Sequence, residues 1–285
     1  MHPIKKRVFA SALQICGTVS MILCVSLANS AYAQTPAQPQ SQSPVAACKT
    51  LIATGNPDYP PFLWRDPDDE TKLIGANADL MQLLAKEIGI SIEVKYAGPW
   101  GRVQEEAKLG RIDLIAGAFF TQPRLDYMDY FYPAFRETRS VIWTRDNAVF
   151  PYKKWSDLKS RLGVTVINNS FGDEFDRYAK ESLKITTVPG LEQALKMLTL
   201  SRADYLIYEE DPGLAYAAKL NITGLKTVNP AISNESLFLT FSHKSACNNG
   251  DMRGRIAKAM IKLNKQNVMS KLIDNNIQAW RKQAK

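Results

Sequence analysis

Histidine is almost missing from this sequence: two of 285 residues are His, and His2 stands beside the initiating methionine. A zinc centre built on imidazoles, or a nucleophile paired with His, has only His243 to draw on, which excludes most of that chemistry. No Walker-type lysine motif occurs, and no cluster of Cys and His has metal-ligand spacing, so neither a nucleotide nor a metal site is implied and no cofactor is expected. Cysteine is scarce at four, and Gly and Pro stand at 15 each, too few for a fibrous or low-complexity chain. The apolar fraction of 45% suffices for one large core or two ordinary domains. A formal net charge of +8 favours anionic neighbours without naming one.

Long uncharged apolar runs are scarce as well, and one of them opens the chain. Lys5, Lys6 and Arg7 precede a small-residue apolar stretch from Val8 to about Ala28, which ends in Ala31-Tyr32-Ala33. That order marks residues 1–33 as a cleaved secretory signal, with a retained membrane anchor as the alternative. Cys16 and Cys24 leave with the signal. Cys48 and Cys247 remain as an even pair in an oxidising compartment and predict a disulfide. Closing a loop of that length is worth roughly 5 kcal/mol in the chain-entropy account.

Once residues 1–33 are removed, the positive surplus lies at the far end. From Asp251 onward there are nine basic and two acidic residues. They interleave with Met252, Ile256, Met260 and Leu263, then Met269, Leu272, Ile273 and Ile277, the spacing of two packed helices with solvated basic faces. Nucleic-acid binding has no motif to support it.

Residues 34–47 are Gln- and Pro-rich and uncharged, and read as a disordered linker. Thr50 to Thr54 reads as a strand, and Asn56 to Phe62 as a rigid loop whose prolines exclude regular structure and which exposes Tyr59 and Phe62. Leu80, Leu83, Leu84 and Ile88 share a helical face stopped by Gly89, followed by an alternating strand from Ile90 to Tyr96. A helix over Gly101 to Leu109 and an apolar strand over Ile112 to Ala116 continue an α/β pattern. A second unit begins near Val141, with strands at Val164 to Ile167 and Tyr205 to Tyr208 and helices at Phe171 to Lys184 and Leu191 to Leu198. Leu237 to Phe241 is a further extended run.

In order and spacing, several short motifs resemble the bacterial extracellular solute-binding proteins of family 3, the polar amino-acid receptors of ABC importers. They are Asp58-Tyr59-Pro60-Pro61-Phe62, Gly75-x-x-Ala78-Asp79-Leu80, Trp100, Leu109-Gly110-Arg111-Ile112-Asp113, Thr121-x-x-Arg124, Tyr132-Pro133 and Arg202-Ala203-Asp204. The likeness covers about Leu51 to Ile277. It implies a type II periplasmic-binding-protein fold, with two α/β lobes joined by two crossing strands. Lobe one would hold residues 48–138 and 231–285, lobe two residues 139–230, and Cys48 and Cys247 would share a lobe.

The resemblance also implies a site. Arg124 would grip a carboxylate with its planar fork of donors, and Thr121 would cap the local helix facing the same anion. A surface arginine paired with Asp126 or Asp129 is the alternative. Ser170 would add a hydroxyl, although Asn169-Ser170 stands where relatives place Gly-Ser or Gly-Thr. Glu209 occupies the place of the acid that meets a ligand ammonium; a solvated loop formed with Glu210 and Asp211 is the alternative. Tyr59, Phe62 and Trp100 are aromatic wall candidates. Phe119 stands where many relatives have a small polar residue, and is either pocket or core. Asp79 and Asp113 read as structural acids.

The function implied is a periplasmic receptor that captures a small amino acid or related carboxylate and delivers it to an inner-membrane ABC permease. A monomer with neither metal nor nucleic acid is expected. A secreted cyclohexadienyl or arogenate dehydratase and an accessory or sensory binding protein are the alternatives.

Overall fold

A computed structural model describes residues 48–283. The expected signal segment, Cys16, Cys24 and the linker at 34–47 lie outside the described residues. The chain opens with β1 (Thr50–Thr54), then three short strands, β2 (Asp58–Tyr59), β3 (Leu63–Arg65) and β4 (Leu73–Ile74). Next come α1 (Ala76–Ile88), β5 (Ser91–Val94), α2 (Trp100–Lys108) and β6 (Leu114–Phe119). The long strand β7 (Met128–Arg145) leads away to β8 (Leu162–Val166), α3 (Asp173–Ser182), β9 (Lys184–Val188), α4 (Leu191–Thr199), β10 (Tyr205–Glu209) and α5 (Glu210–Lys219). Then β11 (Leu225–Ser242) returns, and α6 (Gly250–Lys265) and α7 (Val268–Gln283) follow.

Strands β7 and β11, each of 18 residues, pair antiparallel and hold the architecture together. One half of each strand completes the sheet β5-β1-β6-β11-β7, and the other half completes β11-β7-β10-β8-β9. Two α/β lobes therefore share one eight-stranded sheet through their crossing strands. Within each lobe the outer strands run parallel, as helical crossovers require. The β7–β11 register shifts between Val228 and Ser233 and again between Leu237 and Leu239. These interruptions coincide with Pro230 on one strand and Pro133 on the other, which have no N–H to give to a ladder.

Helix α1 buries Leu80, Met81, Leu84 and Ile88 and stops at Gly89, which adopts the left-handed conformation expected of a helix-ending glycine. The apolar rows of the basic tail become the buried faces of α6 and α7, with Met252, Ile256, Met260, Leu263, Met269 and Ile273 inward. Cys48 and Cys247 form a disulfide with their Cα atoms 5.7 Å apart, tying the start of β1 to the loop before α6.

Several expected elements differ. The Asn56–Phe62 segment is not free of regular structure, because Asp58 and Tyr59 pair with Trp64 and Leu63. Its aromatic residues are buried rather than exposed, with Tyr59 at 5% and Phe62 at 0% of their free area. The strand expected at Ile112–Ala116 begins two residues later and runs to Phe119. Lys184 does not end a helix but opens β9. The acidic run after Glu209 is the first turn of α5 rather than a loop.

Candidate ligand-binding site

The lobes meet over a small cavity lined by Asn56, Tyr59, Trp100, Gly117, Ala118, Phe119, Arg124, Asn169, Glu209 and Leu237. Each lobe delivers one charge to it. Arg124 comes from the short 3-10 turn Gln122–Asp126 directly after β6, and Glu209 from the junction of β10 and α5.

Arg124 is 5% exposed and makes no ion pair with Asp126 or Asp129; Asp129 instead meets His243 and Arg253. One Nη donates to the Phe119 carbonyl at 2.9 Å, the other to the Asn168 carbonyl at 3.4 Å, and the guanidinium lies 5.3 Å from the Trp100 ring centre. The Phe119 carbonyl also accepts the Tyr130 hydroxyl at 2.7 Å. These contacts fix the plane of the fork and leave donors over for an anion.

Asn168 has a positive φ of 58°, a conformation Asn tolerates better than most residues. Its carbonyl is thereby shared by three donors from the opposite lobe, since Trp100 Nε1 and Gln104 Nε2 reach it at 3.2 and 3.1 Å. Gly117, with φ 121°, forms part of the wall; a Cβ there would stand 2.8 Å from Asn77 Nδ2 and 3.1 Å from Leu237 Cδ2.

Glu209 is 2% exposed, and among the described residues its Oε2 has no hydrogen-bond partner. Burial pushes its carboxyl up to about 7, offset in part by its own backbone N–H, by the nearby Asn169 amide, which does not reach hydrogen-bond geometry, and by the Arg124 charge. The Tyr59 hydroxyl and Asn169 Nδ2 are likewise buried without partners. Burial, then Glu209, keep the Tyr59 phenol far above its ordinary range. A cation and an anion thus flank a space bounded by unsatisfied polar atoms, an arrangement that costs free energy until a polar solute completes it.

Two further contacts close the lobes without touching the cavity. Helix α4 begins after Gly190, which has no side chain to cap it. Asp58 from the other lobe supplies the acceptor: its Oδ2 takes the Leu191 N–H at 3.1 Å, and its Oδ1 the Tyr216 hydroxyl at 3.0 Å. Burial raises the Asp58 carboxyl, and these hydrogen bonds pull it back. In the opposite direction, Asp173 of α3 accepts the Gln122 N–H at 3.0 Å. Each lobe thereby holds backbone of the other.

Of the residues expected at the site, Tyr59, Trp100, Phe119, Arg124 and Glu209 converge on the cavity and the others do not. Phe62 packs under Tyr59 with ring centres 5.3 Å apart, inside the core. Thr121 precedes the 3-10 turn, yet its hydroxyl caps nothing; its carbonyl accepts the Arg124 N–H instead. The Ser170 hydroxyl is committed to Asp176 and to the Gly172 N–H, so the serine turns away from the cavity. Asn56, Asn169, Gly117, Ala118 and Leu237 were not anticipated, and only the Asn168-Asn169-Ser170 polar run gave any hint of them. Asp79 and Asp113 are structural, the first accepting from Asn276, the second holding the Ile52 N–H and the Ser245 hydroxyl.

A larger groove of about 530 Å³ lies between α5 and α7, but its Arg136 and Asp211 face each other on an open surface. Buried opposite charges converge instead at the Arg124–Glu209 cavity.

Two lobes on crossing strands, closing over a buried cation and a buried anion, define a hinged receptor for a small charged solute. Residues 51–281 match the bacterial extracellular solute-binding proteins, family 3, and the chain belongs to that family. It is a solute-binding protein of the periplasm rather than an enzyme. Among solved structures, it is similar to a mutant of the arginine-binding protein ArgBP from T. maritima, with TM-score 0.66 and 19% identity over 81% of this chain and 96% of that one. An ancestral arginine-binding protein bound to arginine gives 0.67 and 22%, covering 80% and 98%. A histidine kinase sensor domain with similarity to periplasmic binding proteins gives 0.67 and 21%, covering 80% and 95%. No curated protein matches the sequence.

Proposed function

We propose that the cleft captures a small amino acid or related carboxylate and that the closed receptor delivers it to an ABC permease. Arg124 takes the carboxylate bidentately and Glu209 takes the ammonium, with Tyr59 and Asn169 completing the polar shell. The observation that carries this reading is that Arg124 and Glu209, both nearly inaccessible to solvent, line one cavity while Glu209 Oε2 remains unpaired. A zwitterion between them satisfies both charges, and closure strengthens each contact by excluding water. Solved proteins of the same fold carry arginine or glutamine, and another is described as the substrate-binding protein of an amino acid ABC transporter. The register breaks near Pro133 and Pro230 support lobe boundaries close to residues 138 and 231.

The test is titration calorimetry of unfolded and refolded protein with a panel of amino acids and small carboxylates. Arg124→Gln leaves the solute carboxylate without its partner and should weaken binding by about 2–5 kcal/mol, roughly 30- to 5,000-fold. Unchanged affinity in a folded Arg124→Gln protein refutes the assignment.

A further inference from the structure

Resting on the amino-acid reading above, we propose that the solute is a small amino acid with an uncharged side chain and that Phe119 sets its size limit. The first argument is an inventory of charge. Among the described residues, Arg124 is the only basic side chain and Glu209 the only carboxylate lining the cavity, and the solute's own carboxylate and ammonium use them both. The other carboxylates near the cavity do not line it, Glu235 beside Gly172 included, and most are committed elsewhere. Asp58 holds Leu191 and Tyr216, Asp173 holds Gln122, and Asp176 holds Ser170 and Phe171. Glu210 and Asp211 pair with Arg139 and Arg136, which occupies those two arginines as well.

A charged solute side chain would therefore be enclosed with no counter-charge, the costliest arrangement a buried ion can have. Aromatic faces do not rescue a cationic one. The Trp100 ring already receives Arg124 at 5.3 Å, so a second cation there meets like charge, and Phe62 takes one side of the Tyr59 ring.

The second argument is space. With both interlobe carboxylate contacts formed, the cavity has a volume of about 20 Å³. One water needs about 10–15 Å³ on that measure, and ordinary ligand clefts run to roughly 300–1,000 Å³. Phe119 on β6 and Leu237 on β11 both line the wall and are direct cross-strand partners, so neither side chain withdraws without disturbing the sheet that crosses the hinge. Gly117 beside them already has the smallest side chain available. A space that small already strains to admit the smallest amino acids, so a solute of glycine, alanine or serine size disturbs the latched lobes least, and the Phe119 ring occupies volume a longer side chain would need.

The experiment is calorimetry of refolded protein with L-alanine, L-serine, L-leucine, L-arginine, L-lysine and L-glutamate. Alanine or serine should bind on the order of 100-fold more tightly than any of the charged three. Phe119→Ala should raise affinity for leucine about tenfold or more, since pocket volume discriminates side chains on that scale. Phe119→Leu, a smaller change in volume, should shift the preference in the same direction if the alanine variant fails to fold. Arginine, lysine or glutamate binding the wild type as tightly as alanine overturns this inference and leaves the amino-acid reading intact. So does a folded Phe119 variant with unaltered preference. If no amino acid binds the wild type or either variant, the amino-acid reading itself falls and takes this inference with it.

Discussion

Replacing Glu209 with Gln should stabilise the empty receptor at neutral and alkaline pH while damaging its ability to bind. The carboxyl is buried with one oxygen unpaired, and its pKa rises from the ordinary 4.5 to about 7. Between those two values the folded state holds a proton that the unfolded chain has already released. The folded state then binds more protons, so stability falls as pH rises through this window. Below pH 4.5 both states are protonated and the residue costs nothing. Above pH 7 the accumulated cost is about 3 kcal/mol, at roughly 1.4 kcal/mol per pKa unit. Glu209→Gln keeps the shape and removes the ionisation. Its melting temperature should exceed the wild type by on the order of 6–12 °C at pH 8, where 1 kcal/mol moves a protein of this size by about 2–4 °C. At pH 4 the two proteins should melt nearly together. Differential scanning calorimetry of ligand-free protein across pH 4–8 reads this directly. Asp58, Asp176 and Glu235, also raised by burial, are present in both proteins and cancel in the difference. A difference in melting temperature that does not change with pH refutes the reasoning, as does a variant no more stable than the wild type at pH 8.

Two other outcomes follow from the contacts described. Asp58→Asn weakens the acceptor that caps α4 from across the hinge; an N-cap is worth about 1 kcal/mol, so solute affinity should fall roughly fivefold without loss of any solute contact. Small-angle scattering should then show a larger radius of gyration at subsaturating solute, and an unchanged radius and affinity would show the contact to be incidental. Reducing Cys48–Cys247, which closes a separation of 199 residues, should lower stability by up to about 5 kcal/mol. Because neither cysteine lines the cavity, affinity at a temperature where the reduced protein stays folded should hold, and a parallel loss of affinity would contradict that separation.

Much of the fold could be read from periodicity where one face of an element is buried and its end is marked. Helix α1 shows both, in its row of buried leucines and in Gly89, and α6 and α7 show the first. The crossing strands were harder to see, because β7 passes through Tyr132-Pro133-Ala134-Phe135-Arg136-Glu137, where proline and charge mask a strand held by pairing with β11. Helix α5 was hidden because Glu209, Glu210 and Asp211 look alike in sequence while Glu209 alone is buried. Pro212 lies within the first turn, where its missing N–H costs nothing. At the site, Arg124, Glu209, Tyr59, Trp100 and Phe119 were legible through the family motifs. Asp58 capping Leu191 was not, since a helix start with no local cap gives no sign that its acceptor lies 133 residues earlier. Ser170 misled because a hydroxyl beside a cleft is drawn to the nearer carboxylate of Asp176.

The interlobe contacts made outside the cavity, Asp58 on α4 and Asp173 on Gln122, require no solute. If the latch alone closed the receptor, a vacant molecule could present the closed outer surface, and a permease that senses shape alone would accept futile deliveries. The unpaired Glu209 oxygen makes the vacant closed form costlier than it would be with an uncharged residue there, because shutting the lobes on nothing strands a carboxyl group away from water. Vacancy is thereby penalised inside the cavity, and on the proposed reading a solute ammonium would cancel the penalty.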